Sequence, residues 1–409
     1  MGAWPYCLFA DRGKNMVAAQ DEHLVYLDYA AATPIAREVL EAMTPFFCES
    51  FYNPSSPYAP ARAVRACLED ARGRLGHAIG SRGGNITLTA GATEANNLAF
   101  AAVDGHVVTD AIEHESVLAC AALHDSSIVG VDATGRVDPE SVRNALRPTT
   151  ELVSIELANG EIGTVQPIRQ IARIVADERM RRLQTGNQRP ILLHTDASQA
   201  AGSVSVNVST LGVDLMTLSA AKIYGPKQVG LLWHADGVAL RPLVRGGGQE
   251  ANIRSGTENV AGAVGFAVAL ELAEDLRASE TRRLNCLSAL LRKEISQRLG
   301  EAVFSGPTRN KGRLPGLIHV SIPEADARRL VIGLERRGVL VGTGSACAAS
   351  RMRISHVLRA IGLSDALAQG SLRLSMGRST SEEDVCYAAE CLEACVREQR
   401  EFGAWKGGL

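Results

Sequence analysis

The sequence lacks any long apolar run. No hydrophobic stretch approaches the roughly 18 residues that a membrane-spanning helix requires, and the apolar stretch at its start is too short for a secretory signal. The sequence also lacks an excess of charge of either sign, because 43 basic and 45 acidic residues leave a formal net charge of −2. We therefore expect no membrane partner and no direct nucleic-acid partner. Residues 1–22 are interpreted as an N-terminal extension.

Cysteine pairs at metal-site spacing are also missing. The nine cysteines are an odd number, and no two of them have the C-x-x-C spacing of a zinc or redox motif. An odd count in a chain of 409 residues argues against a disulfide framework. We therefore expect no metal site and a reducing compartment, the cytoplasm.

Helical and strand patterns alternate along most of the chain, which is typical of an α/β fold with a mainly parallel sheet. Hydrophobic residues make up 46% of the sequence, enough for an ordinary globular core. The apolar runs that we interpret as buried strands are Ile86–Thr89, His106–Thr109, Leu152–Ile155, Ile191–Thr195, Leu215–Leu218 and Gly230–Trp233.

The pattern changes after Gly246–Gly248, where a long helical segment, roughly Val260–Gly300, leads into further strands near Leu317–Ile322 and Val339–Val341. The length of the chain favours two domains. We expect a large domain at residues 23–275 and a smaller α+β domain at residues 276–409, joined near residue 275 inside the long helix.

An aspartate and a lysine follow two of the predicted strands. Asp196 ends the apolar run ILLHTD, and Lys222 follows LMTLS. The carboxyl edge of an open α/β sheet is where ligands bind. A lysine that forms a Schiff base and a carboxylate that keeps a pyridine nitrogen protonated are what a pyridoxal cofactor needs. The alternative for the pair alone is a surface lysine and a helix-capping aspartate.

The segment TAGATEANNLAF follows another predicted strand and opens a helix. The backbone amides around Ala92, Thr93 and Glu94 would face an anion, because the first amides of a helix have no partner within it. The Thr93 hydroxyl adds a donor, although a threonine that merely caps the helix is an alternative. Together with Asp196 and Lys222, this turn predicts a phosphate site.

Over roughly residues 24–400, the chain resembles the cysteine desulfurases of the fold-type I, class-V-aminotransferase-like pyridoxal-phosphate enzymes. The segments that carry the resemblance, in order, are YLDYAAATP, NPSSP, GATEANN, EHESV, HTDASQ, KIYGPK, GGGQEANIRSGT, GSACAAS and LRLSMGRST. The resemblance implies a large domain with a mainly parallel seven-stranded sheet, the cofactor pyridoxal 5′-phosphate, and a homodimer.

The resemblance also implies roles toward the cofactor. Lys222 would hold it covalently, Asp196 would pair with the pyridine nitrogen, and His114 would stack on the ring and move protons. For His114 the alternative is a buried structural histidine. The other contacts would come from Gln199 at the phenolic oxygen, and from Thr93, Ser219 and, in the opposite subunit, Thr257 at the phosphate.

For the substrate, the resemblance implies that Arg373, with Asn53, binds the carboxylate of L-cysteine, since a guanidinium fork suits that group. Cys347 lies in GVLVGTGSACAASR, which has neither helical nor strand periodicity around the thiol. We expect Cys347 to take the sulfur as a persulfide and pass it to an acceptor protein. A buried small cysteine is the alternative, and flanking glycine and serine fit it poorly.

Two positions depart from the family pattern. The chain has Gly160 where the family usually has a second asparagine, and Ala221 where it usually has a histidine before the lysine. Each departure removes a polar contact near the cofactor. Because water could fill the space, we expect cofactor binding to survive, with a spectrum or rate that differs from the family norm.

The expected reaction converts L-cysteine to L-alanine, with iron–sulfur assembly or nucleic-acid thiolation as the destination of the sulfur. Three alternatives remain open. They are a selenocysteine lyase, a relative of the aminotransferase or kynureninase type that does not need Cys347, and a cofactor-poor assembly subunit suggested by Gly160 and Ala221.

Overall fold

The computed structural model describes residues 24–344 and 354–406. The predicted extension at residues 1–22 lies outside them, and so does Cys347. No helix within the described ranges combines the length and the apolar character that crossing a membrane requires.

The strands of the described residues are, in chain order, β1 (Val25–Leu27), β2 (Asn85–Thr89), β3 (His106–Asp110), β4 (Ser126–Val129), β5 (Thr150–Ser154), β6 (Leu192–Asp196), β7 (Leu215–Ser219), β8 (Gly230–His234), β9 (Val303–Ser305), β10 (Leu317–Ser321), β11 (Val339–Val341) and β12 (Ser371–Ser375). The helices are α1 (Arg37–Met43), α2 (Pro45–Cys48), α3 (Ala59–Ala78), α4 (Ala92–Phe100), α5 (Glu115–Ala121), α6 (Pro139–Ala145), α7 (Ile168–Thr185), α8 (Val208–Leu211), α9 (Val260–Arg298), α10 (Ala327–Glu335), α11 (His356–Ala360), α12 (Asp365–Gln369) and α13 (Glu382–Lys406).

The main sheet has seven strands in the order β2-β8-β7-β6-β5-β3-β4. Strand β8 runs antiparallel to both of its neighbours, and the pairs from β7 to β4 are parallel. This confirms the predicted mainly parallel, seven-stranded sheet. Strands β3, β7 and β8 are buried at every position, as expected of a sheet covered by helices on both faces. The carboxyl ends of β3, β5, β6 and β7 consequently share one edge.

All six strands predicted for this sheet are present, but β4 was missed. Its side chains are mostly half-exposed or exposed, because it lies at the edge of the sheet and buries little of its surface. An edge strand of this kind has no continuous apolar run from which to predict it.

Local signals account for several helix boundaries. Asp138 accepts a hydrogen bond from the amide of Glu140 and caps α6, with Pro139 at the first helical position. Helix α7 ends at Thr185 and is followed by Gly186, whose φ of 74° is the left-handed conformation that glycine adopts without strain.

Two large apolar clusters form the core. One lies around the seven-stranded sheet and includes Val153, Leu193 and Phe266. The other includes Leu27 of β1, Leu291 of α9 and Leu374 of β12. Helix α9 contributes to both clusters, and the predicted domain junction near residue 275 falls inside it.

Candidate active site

A cavity of about 650 Å³ opens at the shared carboxyl edge of the sheet. Eight of the residues predicted from the sequence line it, namely Ala92, Thr93, His114, Asp196, Gln199, Ser219, Lys222 and Arg373. Most of them lie at the carboxyl ends of strands of the main sheet or in the segments that follow, whereas Arg373 lies within β12 of another sheet. The sheet topology and the packing of β12 against this edge therefore bring them together.

Three predicted residues are not part of this wall. Asn53 and Thr257 are exposed and do not line the cavity within one chain. Cys347 lies outside the described residues. The roles predicted for these three residues stay predictions.

Lys222 lies in a short 3₁₀ turn directly after β7. Its Nζ atom donates hydrogen bonds to the carbonyl oxygens of Ala30 and Ala31, at 2.8 and 2.7 Å. A second lysine, Lys227, also lines the cavity, and its Nζ donates to the carbonyl oxygen of Thr33 at 2.9 Å. The amine of Lys222 is therefore held at the cavity by backbone oxygens.

A chain of hydrogen bonds joins Asp196 to His114. The Nδ2 atom of the fully buried Asn96 donates to Asp196 Oδ2 at 2.8 Å and to Ser116 Oγ at 2.9 Å. Ser116 Oγ lies 2.8 Å from His114 Nδ1, and the Ser116 backbone amide also donates to that nitrogen at 3.1 Å. Because Nδ1 accepts, the neutral ring carries its proton on Nε2. His114 is thus an oriented ring that also caps α5.

Asn96 and Ser116 were not predicted from the sequence. A signal existed for Asn96, because it lies one helical turn after Ala92 in α4 and therefore shares its face. Ser116 gave no comparable signal, since its partner Asn96 is twenty positions away in the chain.

The predicted phosphate turn has the backbone that an anion site needs. Gly91 precedes α4 with a φ of 140°, which favours glycine, and it makes no side-chain cap. A Cβ on Gly230 would lie 2.7 Å from Gly91 Cα, so the neighbouring strand requires glycine as well. Thr93 does not cap α4, which removes the capping alternative. The free amides of the first turn are left for a ligand.

Arg373 is 4% exposed and is held from two sides. Its Nη2 lies 2.6 Å from Asp28 Oδ1, and its Nη1 donates to the carbonyl oxygen of Gly160 at 3.2 Å. A guanidinium has five N–H groups, so donors remain for a carboxylate. The Asp28 charge fixes the orientation of Arg373 and offsets part of its charge.

No space for water is left beside Gly160. A Cβ on Gly160 would lie 2.7 Å from Gln199 Cδ and 2.8 Å from Gln199 Cγ, so the Gln199 side chain already occupies that space. Gln199 Nε2 donates to the Ala30 carbonyl at 3.1 Å, the same oxygen that Lys222 uses. At the other departure, the Ala221 carbonyl accepts from the backbone amide and the hydroxyl of Thr33.

Three buried carboxyl groups lie at the adjacent ends of β3 and β5. Asp110, Glu113 and Glu156 are 0, 0 and 6% exposed, and Glu113 and Glu156 line the cavity. None of the three forms an ion pair within the described residues, and Glu113 makes no side-chain hydrogen bond there. Burial raises the pKa of Asp110 to about 7. Burial, with the neighbouring carboxyls, raises the pKa of Glu113 and Glu156 well above the usual range.

Comparisons with known sequences and structures agree with the site that the geometry describes. The family model for class-V aminotransferases matches residues 25–387. The protein named cysteine desulfurase IscS from Dictyoglomus turgidum is 40% identical over 394 residues, which cover 93% of this chain and 97% of that protein. A solved structure named NifS-like protein has a TM-score of 0.82 at 31% identity and covers 92% of this chain and 100% of its own. A structure of SspA in complex with cysteine has a TM-score of 0.71 at 32% identity, covering 86% and 98% of the two chains.

Proposed function

The chain belongs to the class-V aminotransferase family of pyridoxal-phosphate enzymes and is a cysteine desulfurase, and we propose that it takes sulfur from L-cysteine through Cys347 and passes it to an acceptor protein. The observation that carries the proposal is the meeting of Lys222, Asp196 and the turn before α4 in one cavity. Lysine, carboxylate and anion-binding amides match the three parts of the cofactor, which are its aldehyde, its pyridine nitrogen and its phosphate.

The residues present fit the cofactor. Asp196 lies 8% exposed at the carboxyl end of β6, and Asn96 holds one of its oxygens. In the proposal, Asp196 keeps the pyridine nitrogen protonated, Lys222 holds the aldehyde carbon, and the amides of Ala92 and Thr93 bind the phosphate with Ser219. Gln199 keeps a second amide hydrogen for the phenolic oxygen, since only one bond of its Nε2 goes to Ala30. When bound, pyridoxal phosphate withdraws electrons from the substrate's α-carbon.

The proton positions favour Lys222 as the group that removes the α-proton. His114 Nδ1 already accepts two hydrogen bonds and Nε2 carries the proton, so the neutral ring can donate at the cavity but has no free lone pair there. When it is not bonded to the cofactor, the neutral Lys222 amine would offer a lone pair that can accept this proton. His114 therefore acts in the proposal as an oriented ring and a proton donor.

Arg373 binds the substrate carboxylate in this proposal, with Asn53. Its position is supported by the two contacts that hold the guanidinium, from Asp28 and from the carbonyl of Gly160. A guanidinium fixed before the substrate arrives loses little rotamer freedom on binding.

We also propose a homodimer in which Thr257 completes the phosphate site of a second copy. Several large apolar side chains between residues 35 and 58 support an interface, since they are 36–64% exposed: Ile35, Leu40, Phe47, Phe51 and Tyr58. Thr257 is exposed and away from its own cavity, which a contribution to another chain would explain.

The cytoplasm and the acceptor are proposed on coarser grounds. The cysteines among the described residues are all free thiols, which suits a reducing compartment. Repeated turnover needs a group that takes the sulfur away, because a persulfide that stays on Cys347 blocks the next cycle, and we propose an acceptor protein for this step. Iron–sulfur assembly and nucleic-acid thiolation are the two proposed destinations. No described feature favours a selenocysteine lyase, a relative of the aminotransferase or kynureninase type, or a cofactor-poor subunit.

The test separates cofactor chemistry from sulfur capture. Cys347→Ser should keep the cofactor and still change its absorbance when L-cysteine is added, yet release no sulfide and carry no persulfide. Cys286→Ser is a matched control, because Cys286 is an exposed thiol of α9 away from the cavity. Sulfide release by Cys347→Ser at the rate of the control would show that the nucleophile is another group.

A further inference from the structure

Glu161 lies in the cavity wall between Gly344 and Ser355, the residues that flank the segment carrying Cys347 on its two sides. It is 3% exposed and lines the cavity in the loop after β5. On one side, the Ser355 hydroxyl donates to Glu161 Oε2 at 2.9 Å. On the other side, a Cβ on Gly344 would lie only 3.0 Å from Glu161 Oε1, so the Gly344 backbone lies against the same carboxylate.

Further contacts hold both ends to the same wall. Two residues before Gly344, the backbone of Gly342 exchanges two hydrogen bonds with that of Arg373, at 3.1 and 2.7 Å. One residue after Ser355, the His356 Nε2 atom lies 3.0 Å from the carbonyl oxygen of Glu113, in the same cavity wall. The two described ends, at Gly344 and Ser355, thus lie against one buried carboxylate.

The loop that contains Glu161 is itself held by several hydrogen bonds. The Asn159 side chain accepts from the amides of Glu161 and Ile162, both at 2.9 Å, and donates to the carbonyl oxygen of Ile112 at 3.0 Å. Arg373 adds a bond to the Gly160 carbonyl. Glu161 therefore has a defined position relative to Arg373, the residue proposed to hold the substrate carboxylate.

We propose that Glu161 is a positioning residue for sulfur transfer, because it contacts both ends of the Cys347 segment and lies in the loop that also contacts Arg373. The inference rests on the proposed function of Cys347. Only three peptide units separate Gly344 from Cys347, and three units span at most about 11 Å. A Gly344 held in place therefore limits the distance between the Cys347 thiol and the substrate. The expected benefit is a faster attack of the thiol on the substrate sulfur, because the reacting groups are better oriented.

The chemistry of that step shows what positioning changes. The thiolate of Cys347 donates an electron pair to the substrate sulfur and forms the S–S bond. The C–S bond breaks, its electron pair stays on carbon, and the carbon takes up a proton to give alanine. Glu161 exchanges no proton or electron in this step, so its removal should slow the approach of the thiol and leave L-cysteine binding intact.

The experiment compares Glu161→Ala with Glu161→Gln in the full chain with cofactor bound. Glu161→Gln keeps an oxygen that can accept from Ser355, whereas Glu161→Ala removes it. We expect Glu161→Ala to lower the single-turnover rate of persulfide formation on Cys347 by about 10- to 100-fold. The absorbance change on cysteine addition and the KM for L-cysteine should stay within about twofold, and Glu161→Gln should recover most of the rate.

Other outcomes would overturn the inference. A normal persulfide rate in Glu161→Ala would do so, and so would equal losses in both variants or a loss that appears only in KM. If Glu161→Ala loses its cofactor, Ser355→Ala decides instead, since it removes the same bond from the other side. A normal rate in Ser355→Ala would then overturn the inference. A wild-type enzyme that forms no persulfide on Cys347 would instead refute the proposed function.

Discussion

The side chain of Gln199 fills the space beside Gly160, where a Cβ would lie 2.7 Å from Gln199 Cδ. The missing side chain at residue 160 is therefore matched by the packing of a neighbour and leaves no gap. Gln199 in turn bonds the Ala30 carbonyl that also holds Lys222. A substitution at residue 160 should consequently affect the contacts of Lys222.

The first prediction concerns this contact. Gly160→Asn should weaken cofactor binding by about 1–3 kcal/mol, the usual cost of overpacking, because Gln199 must move. Cofactor dissociation measured by absorbance would report it. The same substitution in a Gln199→Ala background should cost less, since the space is then free. Tighter binding in Gly160→Asn alone would mean that residue 160 had only lacked a contact.

The second prediction identifies the lysine that holds the cofactor. Lys222→Ala should lose both the covalently held cofactor and turnover, whereas Lys227→Ala should keep the covalent attachment. Both lysines line the cavity, which makes Lys227 a matched control. Borohydride reduction followed by peptide mapping is the measurement. Finding the reduced cofactor on Lys227 would reverse the assignment.

The third prediction concerns the substrate carboxylate. Arg373→Ala should weaken L-cysteine binding by about 2–4 kcal/mol, the size expected when one partner of a buried charge pair is removed. Arg378→Ala is the control, because the Arg378 guanidinium stacks on the Tyr224 ring at 4.1 Å and does not line the cavity. Titration of the cofactor absorbance with cysteine measures both. An effect confined to Arg378→Ala would move the carboxylate site.

The fourth prediction tests the shared site. Light scattering should report twice the mass of the chain, and Thr257→Ala should weaken cofactor binding without changing that mass. Phe51→Asp should shift the protein toward monomer, because Phe51 is 64% exposed among other apolar side chains. A monomer that binds the cofactor fully would contradict the proposed dimer.

The fifth prediction follows from the buried carboxyls. Asp110 has a pKa of about 7 in the folded chain because of burial, and an unfolded aspartate titrates near about 4. A carboxyl group whose pKa is higher in the folded chain than in the unfolded chain stabilises the folded state at low pH. This contribution is lost as the pH rises from about 4 to about 7. The thermal midpoint should therefore fall between about pH 5 and about pH 8, and fall less in Asp110→Asn.

Asp275→Asn serves as the control for this pH dependence, because Asp275 is an exposed aspartate on α9. It should keep the wild-type slope between the two pH values. An unchanged slope in Asp110→Asn as well would show that Asp110 is not the titrating group.

The sequence by itself determined the type and order of the main elements. Buried strands with continuous apolar runs, such as β7, and turn signals such as the glycine before α4 are local, because each depends on residues within a few positions. The carboxyl-edge placement of Asp196 and Lys222 followed from those strands through the geometry of parallel sheets. The edge strand β4 was not predicted, because a half-exposed strand has no continuous apolar run.

The tertiary structure alone decided which partners surround the predicted residues. Asn96 meets Asp196 across 100 positions, Asp28 meets Arg373 across 345, and Glu161 meets Ser355 across 194. The burial of Asp110, Glu113 and Glu156 together likewise needs β3 and β5 to pair. Such contacts depend on how separate elements pack, and no local pattern of residues encodes them. Short segments of the sequence therefore indicate the candidate catalytic groups, while the folded core sets their orientation and charge.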